Sequence, residues 1–370
     1  MPTLVYDIAI IGAGASGLQL LYEYIQANPT KEKKILLLDS GDRSKKSWCF
    51  WAEKEHDCFP FLVEKSWNSM TYTTSHGETK KSPINPLEYH YISSDRFFQY
   101  FFNEFIPANE QIDLVKSWVK VVNEGEELQS ITCQDGSTFF SKRVADSRPP
   151  AAKENSATVY QHFSGKFIEF EEPILDDSAM TLMDFSLPAS SRDMAVFHYI
   201  LPFSRTKALI ETTVFTQLSY DMNAYESIWQ KYVDAQFKGK KFKLLSNETG
   251  TIPMGAQIRK KEGNVFQIGA AGGNMKASTG YAFTRMLKDA KYRATNRLQV
   301  TPGRFHFYDK MLLKIMKNDM AKIPEVMDRL FTRVPKKDIL CFLDDKTTLV
   351  QEVKLLAQLD IPLFIKHLIR

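Results

Sequence analysis

The stretch YDIAIIGAGASGLQLLYEYI, Tyr6 to Ile25, decides how this 370-residue chain is read. Tyr6 to Ile11 is a run of β-formers. Leu18, Leu21, Tyr22 and Ile25 recur at the spacing of one helix face. Gly12, Gly14 and Gly17 stand between them, a GxGxxG pattern in its strand–turn–helix context. In such a unit the first glycine makes the tight turn and the second lets a pyrophosphate approach the backbone. The third lets helix and sheet pack closely. The helix N-terminus adds free N–H groups and partial positive charge. A second strand, KKILLLDS, ends at Asp39, 22 residues beyond Gly17, where a carboxylate suits ribose hydroxyls. The unit predicts a dinucleotide site; a βα turn without a ligand is the alternative.

A second glycine cluster lies far along the chain. Residues 264–287, NVFQIGAAGGNMKASTGYAFTRML, read as a strand, then Gly272 and Gly273, then Thr279, Gly280 and Tyr281, then a helix. With the first motif in place, this segment favours a return of the chain to a flavin, so the nucleotide is read as FAD. A further βα turn of the sheet is the plain alternative. VADSRPP reads as a strand end that sets Asp146 near the cofactor, with Pro149 and Pro150 at a boundary. Between the two glycine clusters run several β-rich pieces, among them VYQHFSGKFIEF, AMTLMDF and the hairpin MAVFHYILPFSRTKALIETTVF.

Composition bounds the rest. A net charge of +4 gives no case for nucleic acid. The four cysteines form no CxxC pair and the seven histidines are scattered singly, so neither a zinc site nor any other metal site is predicted. No apolar run reaches the length of a spanning helix. Nothing in the sequence sets an oligomeric state.

Within ALIETTVF, Ala208 to Phe215, Leu209, Glu211, Thr213 and Phe215 share one face of a strand. A carboxylate on a mostly apolar face is either exposed at a sheet edge or a working group. Burial there would raise its pKa.

The order of these motifs resembles that of the lycopene cyclases, flavin-dependent enzymes that close the rings of carotenoids, over nearly the whole chain. YDIAIIGAGASGL with LLLDS resembles the family's dinucleotide start. YHYISSDRF resembles its Tyr-x-x-Ile-x-Ser-x-Arg-Phe segment, and LPFSRTKALIETT its hairpin and acidic motif. GTIPMGA and GAAGGNMKASTGYAFTRML resemble its Ile-Pro-Met-Gly and Thr-Gly-Tyr pieces, and the C-terminal region its helical tail. Three positions depart: Thr212 stands where the family has a second acid, Lys276-Ala277 where it has His-Pro, and Ser147 where it often has glycine.

The resemblance implies an α/β fold, α+β overall. A Rossmann-like FAD-binding domain (1–45, 90–150 and 246–300) would carry an inserted antiparallel-sheet substrate domain (46–89 and 151–245) and a helical C-terminal region (301–370). It implies an enzyme that cyclises the acyclic end of lycopene or a related carotenoid without net redox. Reduced FAD would be the active form, with NAD(P)H as reductant. Glu211 would be the proton carrier and Asp184 a second acid. Arg96 would face the flavin or its diphosphate, or else a surface partner. Lys276 would stand by the flavin, and Trp48, Phe50 and Trp51 would line the pocket or pack the core. His198 reads as structural. Because a carotenoid must come from a bilayer, the resemblance also implies a cytoplasmic bacterial protein in peripheral contact with the inner face of the membrane. The amphipathic tail with Lys354, Lys366, His367 and Arg370 suits that contact, or packing on the protein's own core. A redox flavoenzyme, either a monooxygenase or a polyene reductase, and a non-catalytic lipid carrier are the competing readings.

Overall fold

A computed structural model of the chain describes residues 4–149, 159–188, 190–218, 222–255, 263–295 and 302–369. Pro150, one of the two boundary prolines, and Arg370 lie outside them. The first sheet is built on β1 (Val5–Ile11), β2 (Ile35–Asp39) and β8 (Ile112–Lys116). Its other members are β9 (Val119–Asn123), β10 (Gln129–Cys133), β11 (Thr138–Asp146) and β17 (Val265–Gln267). The order is β8-β2-β1-β11-β10-β9, with β17 beside β11. The members β8, β2, β1, β11 and β17 are parallel. Both faces are covered, which is why β1 and β2 are apolar at successive positions. Ile8, Ile10, Ile35 and Leu37 meet α1 (Ala15–Ala27) and α4 (Phe283–Thr295) on one side. Ala9, Ile11, Leu36 and Leu38 pack on the other.

The turn after β1 needs its glycines for two physical reasons. Gly12 has φ +94°, a conformation L side chains rarely adopt. A Cβ on Gly17 would lie 2.0 Å from the Gly12 carbonyl oxygen, so only glycine lets α1 start this close to β1.

The second sheet runs β16-β12-β15-β14-β13-β5-β6. Its strands are β5 (Ser69–Thr73), β6 (Thr79–Pro83), β12 (Val159–Phe170), β13 (Met180–Asp184), β14 (Met194–Pro202), β15 (Lys207–Thr216) and β16 (Phe242–Met254). It is antiparallel except where β13 runs parallel to β5. One face is covered by α3 (Met222–Gln236), through Trp229, Tyr232 and Val233 against Ile168, Phe170 and Ile210. We call this the α3 face. The other, inner face looks toward a small sheet of β3 (Ser47–Glu53), β4 (Lys65–Trp67) and β7 (Leu87–Ser93). The inner face also meets the helices α5 (Gly303–Asn318), α6 (Ile323–Arg333), α7 (Lys336–Leu343), α8 (Leu349–Leu356) and α9 (Ile361–Ile369).

Two sheet memberships differ from the sequence-based boundaries. Residues 246–254 belong to β16, which pairs with β12 from Val159↔Met254 to Phe170↔Phe242. The long central strand β12 has two edges to satisfy, and β15 fills only one. The expected 46–89 piece also divides. Its β3 and β4 pair with β7, while β5 and β6 join the substrate sheet.

Candidate active site

The strands of the second sheet set side chains in rows. One row crosses the inner face in register: Tyr199 on β14, Glu211 on β15, Gly165 on β12 and Glu248 on β16. Gly165 leaves a gap in the middle. A Cβ there would lie 3.4 Å from Glu211 Oε2 and 3.3 Å from Glu248 Cγ. The Glu211 carboxylate and the Glu248 side chain therefore flank one vacant position from either side.

Glu211 is enclosed deep in the protein, although part of its surface stays accessible. The sole hydrogen bond to its carboxylate among the described residues is from the Thr213 hydroxyl, at 2.8 Å to Oε1. Burial, reinforced by the charge of Glu248, pushes its pKa up to about 8. Burial likewise pushes Glu248 up to about 7, against the pull of the Ser47 hydroxyl, which donates to Oε2 at 2.9 Å. Above the row, the Tyr89 and Tyr281 hydroxyls are 2.9 Å apart, and Tyr281 bonds in turn to Tyr199. Burial holds these phenols, and the Cys49 thiol beside them, above their usual ranges.

On the far side of this tyrosine group is an apolar cavity of about 300 Å³ between the inner face and the C-terminal helices. Leu182, Met183 and Phe215 form its floor; Leu330, Phe331 and Phe364 are among the helix residues above. Tyr199 and Tyr281 belong to its wall, so Glu211 sits one residue behind the lining. Phe307, Ile361 and Ile365 line it and are also exposed, which puts its mouth between α5 and α9.

Asp184 does not join Glu211. It lies on the α3 face, where it accepts from the Tyr232 hydroxyl at 2.7 Å and the Ser186 N–H at 2.8 Å. Thr212, the position of the missing second acid, is fully buried on the same face, opposite His198. His198 stacks on Tyr232 with ring centroids 3.7 Å apart, and burial pushes its pKa down to about 3. The sequence reading missed Glu248. Stepping back by twos from Met254 and Ile252 puts it on the inner face, a signal available only once β16 is known to be a strand.

The dinucleotide candidates gather at the C-terminal edge of the first sheet. Gly12, Gly14 and Gly17 open α1, which no side chain caps, and the space above Gly14 is open. Asp39 Oδ1 accepts from the Ala13 N–H at 3.0 Å; Oδ2 accepts from the Gly41 N–H and Arg43. Asp146 ends β11 and is held by Arg148, whose Nη2 lies 2.6 Å from Oδ2. Gly272 and Gly273 turn the chain after β17. A Cβ on Gly272 would lie 2.6 Å from the Gln267 carbonyl oxygen. Thr279, Gly280 and Tyr281 follow. Thr279 Oγ1 and, beside Gly280, Gln161 Oε1 are buried without a hydrogen-bond partner. An uncapped helix start suits a diphosphate, and unpaired polar atoms at the second glycine segment suit the edge of a flavin. These residues fit FAD.

Arg96 is exposed on α2 (Ser94–Tyr100), the helix whose Phe98 ring lies 5.5 Å from the Arg43 guanidinium that holds Asp39. Arg96 lines a polar cleft of about 370 Å³ with Lys45, Lys46, Ser47 and Glu248. Lys276 is buried, with Nζ 2.9 Å from Asp309 and 2.6 Å from Asp345. Trp51 lines the cavity, its ring 4.6 Å from Tyr281, whereas Trp48 and Phe50 stack against Phe283 in the core of the first domain.

A two-domain frame with a glycine-turn nucleotide edge and an apolar cavity beside a substrate sheet is the architecture of flavin-dependent enzymes. It is shared with a geranylgeranyl bacteriochlorophyll reductase-like protein from Thermoplasma acidophilum. That pair has a TM-score of 0.61 and 10% identity, over 99% of this chain and 96% of that one. The flavin-dependent monooxygenase PieE, solved with FAD and substrate, gives a TM-score of 0.63 and 10% identity over 97% and 72%. The particular family follows from residues 7–365, which match the family described as lycopene cyclase protein; the chain belongs to it. Among curated relatives, neoxanthin synthase of Solanum lycopersicum is 24% identical over 301 residues. That alignment covers 76% of this chain, which spans 58% of the relative's length.

Proposed function

We propose that the protein is a flavin-dependent carotenoid cyclase that closes the acyclic end of lycopene or a close relative without net redox. Supporting observations are the family match, the residues that fit FAD, and above all Glu211, a carboxyl kept protonated near neutral pH beside an apolar cavity. Protonating a terminal double bond needs a neutral acid in a low-dielectric site. The Glu211 proton reaches the cavity past the Tyr199–Tyr281 wall and adds to the substrate's terminal double bond. A neighbouring double bond attacks the resulting cation. The conjugate base of Glu211 then accepts a proton from the new ring, so no proton is consumed.

The apolar cavity keeps water from trapping the cation as an alcohol. Trp51, Tyr199 and Tyr281 line it, and aromatic faces attract cations. Gly12, Gly14, Gly17, Asp39 and Asp146 would hold the nucleotide end of FAD. Gly272, Gly273, Thr279, Gly280 and Tyr281 would hold its ring end. Bound and reduced, FAD supplies electron-rich stabilisation of the cation, with NAD(P)H keeping it reduced. Arg96 would contribute positive charge along the polar cleft.

Substrate would enter from a membrane. No described helix is long and apolar enough to cross one. Leu349, Val350 and Val353 on α8 and Ile361 and Ile365 on α9 are exposed next to Lys354 and Lys366, so the cavity mouth would rest on the bilayer's inner face.

Expression in lycopene-accumulating bacteria tests the reading. Ring-containing pigments are expected, formed with no net oxygen or NAD(P)H consumed per ring. Recovery of lycopene alone from cells holding the folded flavoprotein would sink it. Stoichiometric use of oxygen or NAD(P)H would point to a monooxygenase or reductase instead.

A further inference from the structure

We propose that Glu248 is the proton-exchange partner of Glu211, carrying protons between Glu211 and the polar cleft across the gap over Gly165. The proposal rests on the reading of Glu211 as the proton carrier.

Geometry carries it. The strand register puts Glu248 and Glu211 in one row, each one strand from Gly165. Gly165 supplies no side chain to separate them. The two acids then face different spaces. Glu211 lies behind the cavity wall, whereas Glu248 lines the cleft that holds Lys45, Lys46, Ser47 and Arg96. Glu248 is the single carboxylate of the described inner-face row besides Glu211, and Ser47 fixes its Oε2. The titratable groups facing the pair are Cys49 on β3, Tyr89 and Tyr91 on β7, Tyr199 on β14 and Tyr281. Those phenols and the thiol stay protonated, so near neutral pH the pair titrates as two coupled carboxyls. Lys45, Lys46, Arg96, Glu64 and Asp95 lie along the cleft. Burial holds both acids near the physiological range, so either can carry the shared proton.

The balance is simple. Glu211 gives its proton to the substrate and receives another from the ring. The protonated Glu211 then exchanges with ionised Glu248, and Glu248 exchanges with water in the cleft. Nothing is consumed. What changes is the origin of the hydrogen in the next ring: solvent when Glu248 works, the previous substrate when it does not.

The test is multiple-turnover cyclisation in D2O by the flavin-loaded protein, read by mass spectrometry. Wild type is expected to place about one deuterium in each ring. Glu248→Gln is expected to lower that at least threefold as turnovers accumulate, because the ring proton is recycled, and Glu248→Asp to restore part of it. Equal deuterium per ring in wild type and Glu248→Gln would overturn the proposal. An infrared titration of the substrate-free protein separates this from failure of the cyclase reading. Glu248→Gln should drop the apparent pKa of the remaining Glu211 carboxyl by at least one unit, and Gly165→Ala should disturb the coupling while both acids remain. A Glu211 band that titrates identically with and without Glu248 refutes the pairing even if no carotenoid is ever cyclised.

Discussion

The two faces of one sheet treat buried acid in opposite ways. On the α3 face, Asp184 pairs with His198, and His198 with Thr212, in a row across β13, β14 and β15. Asp184 there receives a phenol and a backbone N–H, the arrangement of a settled structural group. One residue along each of β14 and β15, the inner-face row offers Glu211 one hydroxyl and a second acid. Burial alone therefore does not mark the working carboxylate. Burial without compensating donors is what the proposed role of Glu211 requires, because it leaves the acid neutral and ready to give a proton. The period-two alternation of strands separates the two faces, so a one-residue slip would exchange their contents.

The sharpest way to break this contrast is to disarm each acid in turn. Glu211→Gln is expected to cut ring closure by roughly 10²–10⁴-fold, the usual worth of a positioned acid–base group, with flavin still bound. Asp184→Asn is expected to stay within a few fold and to lose about 1–3 kcal/mol of stability by weakening a buried pair. Pigment yield by chromatography and unfolding by urea read both; equal loss of activity in the two variants would erase the distinction between the faces.

Buried charge that is well partnered gives the next largest effect. Lys276 is almost wholly enclosed with Asp309 and Asp345, and Ser278 donates to Asp309 at 2.6 Å. It ties the second glycine segment to α5 and to the turn after α7. Lys276→Met leaves buried Asp309 with no cation among the described residues, only the Ser278 hydroxyl, while Asp345 keeps Arg285, and should cost roughly 3–5 kcal/mol in urea unfolding. Lys322→Met removes an exposed pair with Glu325 and should leave the unfolding curve close to that of wild type. Similar costs would mean that the Lys276 cluster is not closed to water.

A third change tests the face assignment directly. Thr212→Glu restores an acid beside Glu211 in sequence but aims it at α3, where Thr212 is fully buried. It should destabilise the protein by about 2–4 kcal/mol and bring no gain in cyclisation. A faster enzyme would show that the strand turns its other side to the site.

How much of this could be read beforehand depended on how local each feature is. The turn at Gly12–Gly17 and the common face of Leu209, Glu211, Thr213 and Phe215 are set by neighbours within a few residues, and both are legible. Trp51 differs from Trp48 and Phe50 by strand parity, a signal present in SWCFW but not used. Glu248 was illegible because its meaning comes from Gly165, 83 positions earlier, through pairing of β12 with β16. Lys276 likewise takes its partners from positions 309 and 345, so the segment alone suggested a flavin contact. Asp184 and Glu211 both read as acids in apolar strands. Which face each occupies, and which donors meet it there, depends on α3, whose position no local pattern encodes.

The same contrast has a pH signature, the smallest effect per step. Glu211 and Glu248 stay protonated in the folded protein up to about 8 and about 7, against 4.5 as the ordinary value for glutamate. The unfolded chain releases those protons earlier, so their contribution to stability is full below about pH 4.5 and is lost as pH rises toward 8. Buried His198 and His90 act in the other direction. Their pKa values fall to about 3 and about 4, so their contribution is full above about 6.5 and is lost as pH falls. As pH rises from 6.5 toward 8 the histidines of the unfolded chain lose their remaining protons, and the carboxyl pair comes to dominate among these groups. Unfolding free energy should then fall with a slope of up to about 1.4 kcal/mol per pH unit for each acid still protonated when folded. The double variant Glu211→Gln with Glu248→Gln should flatten that slope. If the slope survives in the double variant, the inner-face acids are ionised in the folded protein, and the chemical difference between the two faces disappears with their protons.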